Sequence, residues 1–557
     1  MDTFLVVVAV IALASCYVLY FHIGRTNLAQ IRGPTPTSFL LGSTLELYQE
    51  EAGKTDFDWQ RVYGDVVHFK SILGEDQLLI ADPKALHHIL STSQNVYPSQ
   101  PERRAVSGFI NGKGVAWAHG DAHRKQRRIM LPAFGAPHAD AFMKVSKSCA
   151  ESLCTKWVDV IDGTSDGRAV IDVYRWLSSA TLDVFGQAAF GVHLGCLEDS
   201  DHILVRSYQN MIASVLGSPS VEQIFLLEAS KHIPTWLLEY MFEHTSNSRC
   251  VRVRQMRDTI IGVAKDLIRG KAEDLLQGDG DHDDDILGLL GKLLRKLINK
   301  RQSPMCPLTV KANMKAEQSE EELLAHIQTL LIGGHETTSH TVEWALLELA
   351  RRPHMQSKVR AEIREREAAI RLRADSTFTV ADFDAMPYTV AFLKEVLRYH
   401  CVIPQTYRVA AKDDLIPLSR PITSESGKQI NEVLVPKGTR IVVSIAAYNR
   451  NPDLWGEDAH EFNPDRWLRD TVKEGATVGV YANLLTFLGG PRACLGWRLA
   501  IIETQAFLLE IIGKLEWSLS EKATRIRREA CGLVVPTVEG EVERGVQMPL
   551  VVSIAPQ

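Results

Sequence analysis

FLGGPRACLG, residues 487–496, sets one cysteine, Cys494, among four glycine and proline residues, with Arg492 two places before it. The stretch frees the backbone around a single sulfur, and no other cysteine of the chain has such a setting. The chain has nine cysteines, an odd number with no C-x-x-C pair, which argues against a disulfide scaffold or a zinc ribbon. Cys149 and Cys154 have the first spacing of a plant-type iron–sulfur run, but Trp157 stands where the next ligand would be. Eight of the nine therefore read as small buried hydrophobes, and Cys494 is left as the one with chemistry to explain.

Working outward, 557 residues with 45% hydrophobic and 23% charged side chains are enough for a large globular core. A net charge of −6 is nearly balanced at this length, so no nucleic-acid partner is expected. TFLVVVAVIALASCYVLYFHI, residues 3–23, is uncharged and long enough to span a bilayer. Ala12-Leu13-Ala14 resembles a signal-peptide cleavage site, but the run has Asp2 and no basic residue before it, and it continues past the cut. Arg25 and Arg32 follow, which places the bulk of the chain on the cytosolic side. The expected division is a transmembrane anchor over 1–24, a Pro/Gly hinge over 25–43 and a catalytic domain over 44–557.

Residues 64–82 alternate as a hairpin of short strands, and 433–449 place β-branched residues around a Pro-Lys-Gly turn. Between about 84 and 350 the pattern is mainly helical, interrupted by the acidic run 277–285 and a polar stretch near 299–318. The acidic run lacks the Gly and the final acid of a calcium loop and reads as a solvated connection. The fold class expected is mainly α with small β-sheets, an α+β arrangement with no internal repeat.

The best-defined helix covers 319–352, with Ser319 and Glu322 as a capping box and Pro353 as its stop. It is apolar on most faces, yet its middle reads Gly333-Gly334-His335-Glu336-Thr337-Thr338. Each glycine costs about 1 kcal/mol relative to Ala in a helix, so a local opening for a small polar ligand is expected, unless the glycines only admit a close neighbour. His335-Glu336 with His340 is not the zinc motif, because residues at i, i+5 diverge by about 140° around a helix. Glu395 and Arg398 share a helix face at i, i+3, and FNPDRW, 462–467, offers Arg466 to them. GDAHRKQRRIMLPAF, 120–134, puts His123 and Arg127 one turn apart beside Arg124, Lys125 and Arg128, a solvated basic helix or a seat for a carboxylate-bearing cofactor.

Together these stretches resemble the cytochrome P-450 family of haem-thiolate monooxygenases. FLGGPRACLG matches F-x-x-G-x-R-x-C-x-G through Phe487, Gly490, Arg492, Cys494 and Gly496; Glu395 and Arg398 match E-x-x-R; the glycine–threonine segment matches the oxygen-activation helix; and FNPDRW is similar to the family's P-E-R-F segment. The motifs stand in the family's order, and the resemblance covers 32 to 557. It implies the cytochrome P-450 fold behind one transmembrane helix, with haem b held by the Cys494 thiolate, whose electron density favours O–O cleavage. Backbone N–H groups are expected to face that sulfur, and Gly489, Gly490, Pro491 and Gly496 to fold the chain beneath the porphyrin.

By resemblance, Arg492, His123, Arg127 and Arg408 hold the two propionates, with His123 where the family often has Trp. Thr337 holds the reduced dioxygen through its hydroxyl, and Glu336 relays protons from solvent. Glu395, Arg398 and Arg466 form a structural charge network. Gly333, where the family often has Ala, enlarges the pocket. Electrons from NADPH arrive through a membrane-bound cytochrome P-450 reductase, with Arg124, Lys125 and Arg128 as its landing patch. Substrate contacts include Phe109, Ile110, Leu330, Ile403 and Val534, which suits an apolar molecule. The implied protein is an enzyme of the fungal endoplasmic reticulum membrane that inserts one oxygen atom of O2 into a secondary metabolite, terpenoids being favoured. Two other readings stay open. One is a reductase-independent enzyme that rearranges a hydroperoxide, against which the intact Glu336-Thr337 argues. The other is a haem-binding protein without catalysis.

Overall fold

The computed structural model describes residues 28–199, 201–277, 320–373, 377–469 and 477–556. The apolar run 3–23, the acidic run beyond Gln277, the polar stretch that follows it and the Ser319 cap lie outside the described residues. Among the described residues no helix is long and apolar enough to cross a membrane. Within the stretch read as a hinge, Leu28 and Ile31 are buried in the core, and the Arg32 carbonyl accepts the His68 N–H at 3.1 Å.

The helices that build the body are α1 (Pro101–Asn111), α2 (Gly120–Met130), α3 (Ala139–Asp162), α4 (Val173–Phe190), α5 (Ile203–Tyr208), α6 (Val221–Ala229), α7 (Thr235–His244), α8 (Glu320–Arg351), α9 (Pro387–Tyr399) and α10 (Trp497–Lys514). Apolar residues on most faces drive α8 into the centre, where it packs against α4 and α10, while α10 lies along α3. From His335 to Ala350 nearly every α8 residue is buried. Gly191, in the left-handed region at φ 65°, ends α4, and proline stands at the first turn of α9.

The strands are β1 (Val66–Lys70), β2 (Asp76–Ile80), β3 (Arg168–Asp172), β4 (Gln405–Val409), β5 (Asp414–Thr423), β6 (Gln429–Val435), β7 (Arg440–Ser444), β8 (Leu515–Leu519), β9 (Ile526–Ala530), β10 (Val534–Val538) and β11 (Pro549–Ile554). The hairpin expected over 64–82 is present, with Val66 opposite Ile80 in an antiparallel pair. The strands around Pro-Lys-Gly do not pair with each other. β6 joins β5, whereas β7 runs parallel to β2 and antiparallel to β4, in a sheet ordered β1-β2-β7-β4. Residues 445–449 are helical instead of continuing the strand, because the Ser444 hydroxyl caps the turn by accepting the Ala447 N–H at 3.1 Å. The expectation of a helical body with small sheets holds.

α9 fixes the segment that leads to Cys494. Arg398 grips Glu395 with two bonds, Nε–Oε2 at 2.8 Å and Nη2–Oε1 at 2.7 Å, and both side chains are fully buried. Its remaining N–H groups donate to the carbonyls of Asn449, Ala459 and Glu461. Arg466 adds a third bond to Glu395 at 3.1 Å, and the Trp467 indole adds a fourth at 2.9 Å. Asn449 then passes the register on: its side chain donates to the Thr486 hydroxyl at 2.9 Å and accepts the Leu485 N–H at 2.9 Å. The charge network thus sets the start of the cysteine loop.

Candidate active site

The loop from Phe487 to Gly496 turns on two short 3-10 segments, Leu485–Phe487 and Gly490–Arg492. Gly490 sits at φ 67°, and a Cβ there would lie 2.2 Å from the Leu90 carbonyl oxygen. A Cβ on Gly489 would lie 1.9 Å from that of Val478. These two glycines are therefore demanded by neighbouring backbone, whereas Gly496 has only the Phe134 ring near, at 3.6 Å. A side chain would thus be blocked at 489 and 490, as expected, and the blocking atoms are carbonyl oxygens of the protein itself.

The Cys494 N–H donates to the Phe487 carbonyl at 2.9 Å, closing the loop, and the Gly496 N–H bonds the sulfur. Protein surrounds the thiol, yet the side chain is exposed, so it opens on internal space. Burial pushes the thiol up, while the Gly496 N–H and the Arg127 guanidinium favour the thiolate. Arg127 reaches this loop directly, its Nη1 donating to the Ala493 carbonyl at 2.6 Å.

On α8, Thr329, Gly333 and Thr337 recur at i, i+4 and i+8 as an accessible stripe on a helix otherwise buried over its middle. The Thr337 hydroxyl donates to the Gly333 carbonyl at 3.0 Å. The helix remains α-helical through the glycine pair, so the expected local opening does not occur; the two glycines have separate reasons. A Cβ at Gly334 would meet the Phe185 ring of α4 at 2.5 Å, whereas one at Gly333 would meet nothing within 4 Å. Gly334→Ala is accordingly expected to destabilise by about 1–3 kcal/mol through overpacking. Gly333→Ala should be neutral or stabilising by up to about 1 kcal/mol through helix propensity. Thermal unfolding of the two variants side by side checks this, and equal losses would contradict it.

A cavity of about 170 Å³ is lined by His119, His123, Arg124, Arg408 and Arg492 together with Tyr97 and neighbouring residues, and by no carboxylate. Burial pushes both Arg408 and Arg492 down to about 10, helped by Arg492 for the first and by Arg104 and Arg127 for the second. Burial and the Arg492 charge push His119 and His123 down to about 4. Arg124 pairs with Asp121, but Arg408 and Arg492 face the cavity with no carboxylate among its lining residues, which is the electrostatic condition of a seat for a group with carboxylates. His123, Arg408 and Arg492 are thus brought together as expected. Arg127 is not among the residues lining this cavity, and its Nη1 bonds the cysteine loop. His119, one turn before His123, was missed by sequence reasoning, although the spacing was there to see. Phe487 is half-buried and holds the loop through its carbonyl.

Glu336 is buried rather than solvent-facing, with burial pushing it up to about 7. Among the expected substrate contacts, Phe109 and Leu330 are buried and Ile403 is exposed. Phe109 packs on Phe242 at 5.2 Å, beneath the Arg257 guanidinium. Val534 is fully buried, its carbonyl taken by the Trp344 indole at 3.2 Å. His335 and His340 face different partners, and no group of potential metal ligands of the kind the zinc motif needs is present among the described residues.

The family model for cytochrome P-450 matches residues 32–544. Cytochrome P-450 monooxygenase 205 of Postia placenta is 30% identical over 556 residues, covering 98% of this chain and 96% of that protein. The cytochrome P-450 monooxygenases claO and claQ of Ampulloclitocybe clavipes are each 30% identical, covering 95% of this chain and 93% of their own.

Proposed function

Because this chain belongs to the cytochrome P-450 family, whose members are oxygen-incorporating oxidoreductases, we propose that it hydroxylates an apolar secondary metabolite, a terpenoid above all, in a fungal endoplasmic reticulum membrane. The observation that carries the site is the coincidence of an enclosed but accessible Cys494 sulfur with a carboxylate-free cavity lined by Arg408 and Arg492. Both fit haem b, with Cys494 as the residue to hold its iron and Arg408, Arg492 and His123 to hold its carboxylates. When bound, the haem iron supplies the reductive cleavage of dioxygen, with electrons from NADPH passed on by a reductase.

The chain's own residues do the rest. The Gly496 N–H and Arg127 steady negative charge on the sulfur. Thr337 offers a hydroxyl on the accessible face of α8, held in place by the Gly333 carbonyl. Glu336 holds a proton one residue away, in surroundings that exclude water. Arg124 and Arg128 are exposed on α2, the helix whose Arg127 touches the cysteine loop, which supports docking of an acidic reductase on that side. The apolar run 3–23 supports anchoring, as do exposed Phe39 and Leu40, and Leu226 on α6 and Trp236 on α7.

Thr337→Ala is expected to divert NADPH into hydrogen peroxide, cutting product per NADPH by about tenfold or more, in line with loss of a positioned proton-handling group. Peroxide and product measured together check it; tight coupling in the variant would remove Thr337 from this role. The function itself is tested in microsomes carrying the chain and an NADPH-dependent reductase, supplied with a terpenoid panel. The expected result is an NADPH-dependent product heavier by one oxygen drawn from O2. Product formed without NADPH, or reduction of the haem protein with no product, would contradict it.

A further inference from the structure

Glu336 has company on the buried side of α8. It is 3% exposed, and its Oε2 has no hydrogen-bond partner. His340 lies one turn on, at i, i+4, and so shares a helix face with it. His340 Nδ1–H donates to Glu343 Oε2 at 3.0 Å, and Glu343 Oε1 accepts from the Ser339 hydroxyl at 2.8 Å. The Tyr174 ring of α4 stacks on the His340 ring at 5.7 Å and 8°, fixing its plane.

The groups that face this set from its neighbours leave the charge on His340 without a rival. Burial keeps Tyr174 of α4, Tyr208 of α5 and Cys531, which precedes β10, in their neutral forms. Burial also pushes His335 down to about 4, so it is neutral as well; its Nδ1–H is given to the Leu331 carbonyl at 2.7 Å. Asp172 acts on the far member, Glu343, and is itself partly offset by Arg175. Among the described residues, His340 is the cation that acts on Glu336.

A buried ion pair of this kind costs more than apolar side chains of the same volume would. Glu336, His340 and Glu343 follow one another over about two turns of α8, on its buried side, next to the accessible Thr337. We propose that His340, anchored by Glu343, is a positioning residue for oxygen activation: its fixed positive charge, one turn from Glu336, lets that buried carboxyl both hold and release a proton beside Thr337. The inference rests on reading the site as a monooxygenase pocket. In each delivery one proton leaves the Glu336 carboxyl, the carboxylate is stabilised by His340, and a proton drawn from solvent restores the acid; no electron moves.

The directions of titration agree with this arrangement. Burial raises Glu336, the Glu343 charge adds to that, and His340 pulls it back, to about 7. Burial works against the His340 cation, but Glu343 holds it above the ordinary histidine value.

Infrared titration of the haem-loaded enzyme tests the proposal by following the C=O stretch of protonated carboxyl groups across pH. The unmodified enzyme should show a buried carboxyl band with its midpoint near pH 7. Glu336→Gln should remove it. His340→Gln should move the midpoint upward by about one unit or more, a tenfold change in proton affinity, since a facing cation is lost. His340→Asn should shift it in the same direction, and it carries the test if the His340→Gln variant does not fold. A midpoint below pH 5 in the unmodified enzyme, a component titrating near pH 7 that survives Glu336→Gln, or a midpoint unmoved in the two His340 variants would overturn the proposal; the buried Glu503 gives a separate band that stays in every sample. Haem content and the reduced, CO-bound spectrum of each sample report on the monooxygenase reading separately, so the two can fail independently.

Discussion

Cys494→Ala is expected to abolish turnover completely and to remove the red-shifted absorption of the reduced, CO-bound protein. Among the described residues the sulfur is the one exposed thiol, although protein surrounds it, and it faces internal space instead of packing into a core. The thiols of Cys149, Cys154, Cys196 and Cys531 are buried and pushed up, with no accessible surface from which to reach an iron. Removing one sulfur atom should leave the loop intact, because its closing bonds are made by backbone: Cys494 N–H to Phe487, and Arg127 to the Ala493 carbonyl. The variant should therefore unfold at nearly the same denaturant concentration in its haem-free form while losing all product. Residual turnover above about one part in a thousand would mean that the sulfur is not the ligand, since the electron push it provides has no substitute elsewhere in the loop.

Arg398→Ala is expected to cost about 3–5 kcal/mol of folding stability, enough to prevent haem incorporation at growth temperature. The magnitude follows from what is left behind. Glu395 would remain fully buried with one cation fewer, and the carbonyls of Asn449, Ala459 and Glu461 would each lose a charged donor. Arg466 and Trp467 still reach Glu395, so the loss should fall short of a wholly unpaired charge. Urea unfolding and haem per polypeptide give the readout. Arg398→Lys should recover little, because an ammonium cannot grip the carboxylate with two bonds and reach three carbonyls as well. A change below about 1 kcal/mol would show the network to be ornamental, as exposed pairs usually are.

What could be read from the sequence divides along contact range. The 64–82 hairpin and the Glu395–Arg398 pair involve neighbours a few residues apart, where periodicity and i, i+3 spacing speak directly. The central helix was legible for the same reason. β6 and β7 were harder: a strand signal does not name its partner, and β7 pairs with β2 more than 350 residues earlier in the chain. The glycines show the same limit in miniature. Nothing local says that Gly490 must clear the Leu90 carbonyl, or that Gly334, but not Gly333, must clear Phe185. Arg127 is expected at the cofactor's carboxylates by resemblance alone, and no local pattern announces its bond to the Ala493 carbonyl, 366 residues further along the chain. The His340–Glu343 pair lay in plain view at i, i+3, but His340 drew attention only as a failed zinc ligand.

The reduced, CO-bound absorption spectrum of the unmodified enzyme tests the thiolate assignment most directly. A single red-shifted band, in amount matching the haem content and absent from Cys494→Ala, is the expected result. A band at the position given by a nitrogen-ligated haem, in freshly prepared enzyme with full haem content, would contradict the placement of the iron on the Cys494 sulfur.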